Sequence, residues 1–398
     1  MKKTSLTALL VCLALCGCLK PAGVRYHHMA PEENDALHII NFNVEQADAM
    51  LILYKGKSLL VDCGSPLGKP AIAAQRIPRR LDALLGHRHI DYFIVTHYHQ
   101  DHFGSPGNPR QRRRPSGIFS LIEDEGVTIG EIIDRGSWLL GSKGGSYNNY
   151  HRALKRWLGT GQVGKRRVAR PGDLINMGEG LHVEVISSAG NGILDRLNSL
   201  YPTFIANTPP SENDYSVGVK VTLGDFEMFA AGDLTGSNII RQYGPIRASY
   251  TDIESSVAKM IGPVEVYRVD HHGSAHSSNP CFSQVLHPQA SVFSCGRNNR
   301  YGHPAIEVYH RLKTYGDVYI TGGVSRDHGA DIRQDIVGDD VEILVSPDGA
   351  RFWINERLYH SSSEETERQR PNARQSCNVG SRLADSSEYE VIEGGVAD

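Results

Sequence analysis

The feature that most limits what this chain can fold into is Thr96-His97-Tyr98-His99-Gln100-Asp101-His102, three imidazoles and a carboxylate within six residues. It follows the apolar run Tyr92-Phe93-Ile94-Val95, which reads as a buried strand. A strand end fixes the backbone, and the loop beyond it can curl until its side chains converge. Neutral imidazoles and carboxylates are the donors that zinc and similar first-row ions take. His97 and His99 can serve one ion, and Asp101 and His102 a second. Four donors from one loop still cannot complete two tetrahedral shells. Further donors must come from elsewhere. Phe229-Ala230-Ala231-Gly232-Asp233 sets a carboxylate past a second apolar strand, and Asp270-His271-His272-Gly273-Ser274 sets imidazoles past a third. Strand exits are where the ligand loops of α/β folds gather.

The remaining pattern suits sheets with helices outside them. Short strands are expected at 37–44, 49–54 and 58–62, with Lys55-Gly56-Lys57 as the hairpin turn. A helix over 70–86 precedes strand 92–95, a hairpin spans 215–231, and a strand covers 264–269. Glu254 stands three residues after Thr251, the spacing of a capping box for a helix to about 261. His303-Pro304 reads as the start of another helix, which Gly316 closes. The domain is expected over 37–360, with 19–36 as a linker and 106–213 as an insertion. That insertion holds a helix near 150–158 and a hairpin-like piece at 172–187. Residues 331–360 look sheet-forming, and 361–398, dominated by polar and charged residues, read as a disordered tail.

These blocks resemble the metallo-β-lactamase superfamily, whose signature is the His-x-His-x-Asp-His run found at 97–102. Within it the sequence is similar to the hydrolase domain of bacterial competence DNA-uptake channel proteins, and to phosphorylcholine esterases and other phosphodiesterases. Phe42 to Ala49, Leu60-Val61-Asp62-Cys63-Gly64, Asn213-Asp214-Tyr215-Ser216-Val217, Gly232-Asp233, His271-His272-Gly273-Ser274 and Asn299-Arg300-Tyr301-Gly302-His303-Pro304 carry the likeness. It implies an αβ/βα sandwich of two mixed sheets flanked by helices, and two divalent ions, zinc or else manganese, with no other cofactor. One ion would take His97, His99 and Asp233; the other Asp101, His102, Asp233 and His271. The superfamily often adds a histidine between the first cluster and the bridging aspartate, and the stretch 211–216 has none.

Roles follow from these positions. Asp233 is the bridging carboxylate, and Asp101 is both ligand and the residue that orients the attacking water. His272 is left for hydrogen bonding to substrate, and His303 for stabilising the leaving oxygen. Asp62 is expected to support the first cluster and Asp48 to orient the site loops. Tyr301, Ser274 and Arg112 are candidate substrate contacts. The basic runs Arg110-Gln111-Arg112-Arg113-Arg114 and Lys165-Arg166-Arg167 favour a phosphorylated substrate, because Arg offers bidentate contacts to phosphate. The expected activity is phosphodiester hydrolysis on a nucleotide, a nucleic acid or a phosphocholine-bearing molecule. The alternatives are amide or lactone hydrolysis, and a non-catalytic metal-binding protein. A formal net charge of -3 gives no global basicity to suggest nucleic acid on its own.

The first eighteen residues pair Lys2-Lys3 with an apolar run and end in Leu15-Cys16-Gly17-Cys18, the layout of a lipoprotein signal with Cys18 as the lipidated residue. The expected address is the bacterial cell envelope, on its periplasmic or outer side, with membrane attachment through that lipid. A Cys281–Cys295 disulfide stays open at this level, against two buried thiols.

Overall fold

In the computed structural model, which describes residues 35–66, 72–136, 145–200, 202–243, 246–362 and 390–393, the second strand shows how the layers are built. Met50, Ile52 and Tyr54 of Ala49–Tyr54 join one apolar cluster, and Ala49, Leu51 and Leu53 join another. A strand apolar on both faces must lie in a sheet covered on both sides. That sheet has nine strands in the order 357–360, 351–354, 341–345, 37–41, 49–54, 57–63, 89–95, 128–134, 163–168. It is mixed. Leu37–Asn41 pairs antiparallel with both neighbours, whereas Lys57–Cys63, His89–Val95, Thr128–Asp134 and Val163–Val168 run parallel in succession.

A second sheet of six strands has the order 317–320, 290–293, 266–268, 226–230, 218–223, 181–187. Its first four strands are parallel and its last three antiparallel. Ile39, Met50 and Ile52 from the first sheet and Val219, Val221, Met228 and Val266 from the second fill the common core between them. The helices Ile72–Leu84, Ile118–Glu123 and Gly145–Thr160 cover the outer face of the first sheet. Glu254–Ile261, Pro280–Leu286 and Ile306–Lys313 cover that of the second. The architecture is therefore the αβ/βα sandwich expected from the resemblance. Helix 145–160 illustrates why such segments are helical: Tyr150, Ala153, Leu154 and Trp157 recur on one stripe and are all buried.

Several expectations need correction. The stretch 106–213 supplies two strands of the first sheet and the edge strand of the second, so it is not a separable insertion. Its arginines hid this: Arg166 donates twice to Asp134, each at 2.7 Å, Arg167 pairs with Glu131 at 2.9 Å, and Lys165 with Glu131 at 3.4 Å. That basic run is consumed by the sheet's own carboxylates. The piece at 172–187 is one strand, Leu181–Ser187, with an isolated bridge from Leu174 to Glu184. Glu254 forms no capping box; its two oxygens accept the Ser278 and Asn279 amides at 2.5 and 2.8 Å. The helix after Pro304 starts at Ile306, three residues beyond His303, and the His303–Pro304 peptide is cis. In the tail, 390–393 pairs in parallel with Ile239–Tyr243, while 363–389 and 394–398 lie outside the described residues. Judging the tail by its average composition missed this short Val-Ile segment. Cys295 is a buried free thiol, so the disulfide that Cys281 makes is not with it.

One buried ion pair ties the two halves of the sandwich together beside the histidine loop. Arg135, 1% exposed, donates from Nε and Nη2 to the two oxygens of Glu212, each at 2.6 Å. Its guanidinium lies 4.4 Å from the Tyr98 ring centre and 4.5 Å from that of Tyr215. The same Glu212 oxygen accepts the backbone N–H of Tyr98 at 3.0 Å, which fixes the chain between His97 and His99. Arg135→Ala would strand Glu212 in the interior as an unpaired charge. It is expected to lower unfolding free energy by about 3–5 kcal/mol, read as a shift in the urea midpoint. A change under about 1 kcal/mol would show that the pair does not carry this region.

Candidate metal centre

The C-terminal ends of parallel strands in both sheets supply the centre. His89–Val95 leads into Thr96–His102, and Lys57–Cys63 carries Asp62 near its end. Phe226–Ala230 leads to Asp233, and Val266–Arg268 leads to Asp270–Gly273. Gly232 is required by close approach: a Cβ there would lie 2.3 Å from Thr96 Oγ1 and 3.0 Å from His97 Nδ1. The absence of a side chain lets the Asp233 loop touch the histidine loop.

Asp233 stands at the middle. Its Oδ1 is 2.9 Å from His102 Nε2 and 3.8 Å from His272 Nε2, and its Oδ2 is 3.6 Å from Nε2 of both His97 and His271. His97 Nε2 and His99 Nδ1 are 3.0 Å apart. Donor atoms of His97, His99 and Asp233 all fall within 4.8 Å of one another, and so do those of Asp48, His102, Asp233 and His272. On the second side Asp101 Oδ2 lies 3.4 Å from His272 Nε2. Asp48 faces the opposite edges of these rings, 3.6 Å from His102 Nδ1 and 3.7 Å from His272 Nδ1, and Arg268 holds it at 2.6 Å. It therefore balances and orients the imidazoles from behind.

The two adjacent histidines, expected as one ligand (His271, with Asp101 and His102) and one substrate contact (His272), both face Asp233. His272 lies on the side of Asp101 and His102, and His271 on the side of His97. The cause is local: His271 and His272 both have left-handed backbone, φ 49° and 52°, so the chain turns sharply enough for consecutive rings to face different oxygens of Asp233. His271 thus adds an imidazole on the side where the 211–216 stretch supplies none. Asn213 is there instead, with Nδ2 3.3 Å from His271 Nε2.

The surroundings fit divalent ions. His102 Nε2, His272 Nε2 and Asp233 Oδ1 are buried, converge on one another and make no well-aligned hydrogen bond, an arrangement that a cation between them would satisfy. The far nitrogens are engaged. His102 Nδ1 meets Asp62 Oδ2 at 2.8 Å, and His272 Nδ1 donates to Ser294 O at 2.8 Å. Such partners fix the tautomer and leave Nε2 to bind metal. Asp62 also accepts the Thr96 amide and hydroxyl at 2.9 and 2.7 Å. Ser216 Oγ accepts the Asp233 amide at 3.0 Å.

Charges follow the geometry. Burial would raise the Asp233 carboxyl, but His102, His271, His272 and His97 hold it well below its usual range. Burial likewise opposes ionisation of Asp101, and His272 and His102 overcome it, bringing it to about 2. Burial disfavours charge on His272, but Asp48, Asp233 and Asp101 prevail and raise it to about 9. His102 is raised too, by Asp233 and Asp62 against burial, whereas burial and the neighbouring His102 push His97 well down.

A cavity of about 500 Å³ opens on His99 and Asp101, bordered by Gln46, Arg297, Arg300 and Tyr301. Of the expected substrate contacts it contains Tyr301 alone. Arg112 is exposed outside it, and Ser274 Oγ accepts the His276 amide at 3.3 Å within its own loop. His303 is buried, its ring centre 5.6 Å from that of His271 and 5.9 Å from that of His272. Gln46 belongs to the 42–49 block that carries the likeness, but no site role was expected for it. Its Oε1 accepts the Gly296 amide at 3.0 Å, so its Nε2, 3.1 Å from His303 Nδ1, must donate there. Burial and the imidazoles of His271 and His272 keep His303 neutral, so its proton sits on Nε2.

The sign of the pH dependence is set by His102 and His272. Their raised pKa values mean that a cation entering the metal-free site displaces protons at neutral pH. Affinity for zinc is expected to climb with pH up to about 9, where His272 loses its proton, by up to about tenfold per unit for each proton displaced. Chelator competition between pH 6 and 9, with calorimetry in two buffers, reads both the slope and the protons released. A flat profile would remove this assignment.

Residues 42–108 match the family model described as the metallo-beta-lactamase superfamily. ComE operon protein 3 of Bacillus subtilis (strain 168) is 28% identical over 113 residues, which is 28% of this chain and 12% of that protein. Among solved structures, the metallo-beta-lactamase fold protein YhfI from Bacillus subtilis aligns with 12% identity, a TM-score of 0.42 and coverage of 72% of this chain and 96% of its own. Igni18, a metallo hydrolase from Ignicoccus hospitalis KIN4/I, aligns with 12% identity, a TM-score of 0.38 and coverage of 72% and 95%. The 97–102 signature lies inside the segment that matches this family model, and the sandwich is built around it.

Proposed function

We propose that this protein is a hydrolase that uses two divalent ions, zinc or manganese, to cleave phosphodiesters. The observation that carries the reading is the convergence of His102 Nε2, His272 Nε2 and Asp233 Oδ1, buried and without well-aligned hydrogen bonds, beside the His97–His99 pair. His97, His99 and His271 would hold one ion, Asp101, His102 and His272 the other, and Asp233 would be shared. Ions held there lower the pKa of water and polarise the attacked phosphorus centre.

The chain's own groups divide the remaining work. Asp101, kept ionised and with a side chain 31% exposed, faces the cavity and can orient the attacking water by accepting its hydrogen bond. His303 offers its Nε2 proton as a hydrogen-bond donor for charge that builds on oxygen. In the balanced reaction a water oxygen bonds to phosphorus and the ester P–O bond breaks. The leaving alkoxide takes a proton, giving an alcohol and a phosphomonoester. The arginines bordering the cavity favour an anionic ester over an amide or lactone.

Bis(p-nitrophenyl) phosphate assayed beside a β-lactam reporter, with His99→Ala as the blank, should give turnover on the diester alone. Turnover only on the β-lactam would overturn the choice. Asp233→Ala should lose bound metal and lower diester turnover by about a thousandfold or more. Retained metal with full activity would displace Asp233 from its role.

The address is inferred from the N-terminal signal, which lies outside the described residues, and is supported by the disulfide at Cys281, a bond that persists in oxidising compartments. Cys18→Ser should move the protein from the membrane to the soluble fraction. An unchanged membrane fraction would rule out the lipid anchor.

A further inference from the structure

The two basic runs conspicuous in the sequence do not line the cavity; two isolated arginines do. Arg297 and Arg300 border it beside His99 and Asp101. Both are exposed, and neither forms an ion pair with a described carboxylate. This differs from Lys165, Arg166 and Arg167, each of which is paired.

The loop that bears them is rigid. Asn299, 8% exposed, donates from Nδ2 to Gly296 O at 3.0 Å and His303 O at 2.7 Å, and accepts the His303 amide at 2.9 Å. One side chain thereby closes 296–303 on itself. Asn298 N–H donates to Val324 O at 2.8 Å, and Arg297 N–H to Glu45 Oε2 at 3.2 Å. Gly296 makes the seat possible: a Cβ there would lie 2.3 Å from the Gln46 backbone nitrogen. The Arg300 guanidinium rests 5.2 Å from the centre of the Tyr301 ring, and that ring stacks on His303 at 5.6 Å. Arg300 is thus pre-set by a cation–π contact while its remaining N–H groups stay available.

Resting on the phosphodiesterase reading above, we propose that Arg297 and Arg300 form a subsite for a second phosphate of the substrate. The preferred substrate is then a phosphodiester with a neighbouring phosphate on the same molecule, as in a nucleic-acid strand. A phosphocholine ester fits poorly. Its quaternary ammonium would meet two guanidinium groups, and Tyr301, the one phenylalanine, tyrosine or tryptophan among the described residues of that lining, already carries Arg300 and His303 against it. The second phosphate takes no part in bond breaking. It is held by charge-assisted hydrogen bonds while the diester is attacked at the metal centre.

Two thymidine substrates isolate that phosphate: the 5′-(p-nitrophenyl phosphate) of thymidine, and the same ester with a 3′-phosphate. With metal-loaded full-length protein at low salt, the 3′-phosphorylated ester is expected to have the higher kcat/KM by about tenfold or more, mainly through KM. The ratio should shrink as salt rises. In Arg297→Ala/Arg300→Ala it should fall to near one. The charge-keeping Arg297→Lys/Arg300→Lys should recover part of the ratio, which a general loss of folding would not allow. Hydrolysis of both esters with a ratio near one, or a ratio that survives the double alanine variant, would overturn the subsite and leave the phosphodiesterase reading standing. No hydrolysis of either ester by the parent protein would overturn both.

Discussion

Asp233 is the point on which the two sheets agree. One oxygen faces His102 and His272 and the other faces His97 and His271, so a single carboxylate organises imidazoles that arrive from strands of different sheets. That requires the strand ends to approach more closely than side chains usually permit. Gly232 removes the obstacle on one side, and the left-handed turn at His271 and His272 distributes two consecutive rings to opposite sides of the carboxylate. The electrostatics follow from the same crowding. Carboxylates held ionised among imidazoles, with several polar atoms lacking well-aligned hydrogen bonds, form an arrangement that water alone would not favour.

The periodic and clustered parts of this design were legible in the sequence. Strand 49–54, apolar at every position, announces a sheet covered on both faces, and the 97–102 cluster after a buried strand announces a site. What escaped was decided by long-range partners. Thr128–Asp134 and Val163–Val168 sit in a region read as an insertion, because nothing local reveals that Arg166 and Arg167 are neutralised by Asp134 and Glu131. The parts of His271 and His272 depend on two backbone angles that neither residue advertises. Arg268 gave a usable signal that was passed over: a cation inside Val266-Tyr267-Arg268, ahead of two histidines, needs a buried counter-charge, and Asp48 is that group. The parts of Gln46 and Arg297 were not legible, because they meet at the site only through the fold, from positions roughly 250 residues apart in the chain.

The composition-based view of substrate binding illustrates a general hazard. Runs of arginine draw attention, but a run on a sheet edge is often spent on the sheet's own acids. The chemistry falls instead to residues whose neighbours keep them unpaired and fixed, as Asn299 does for the loop carrying Arg297 and Arg300. Rigidity and vacancy together, rather than charge density, mark a place where an anion can be recognised.

Glu212 has a consequence for how such a protein can be divided. It accepts the amide between His97 and His99 while gripping Arg135. A fragment ending before it would contain the whole histidine signature without the anchor that shapes it. The amino-terminal half is therefore not an autonomous ion-binding module awaiting a partner. Truncation between residues 102 and 212 would separate the ligands of that loop from the carboxylate that fixes it, so the two halves act as one folding piece.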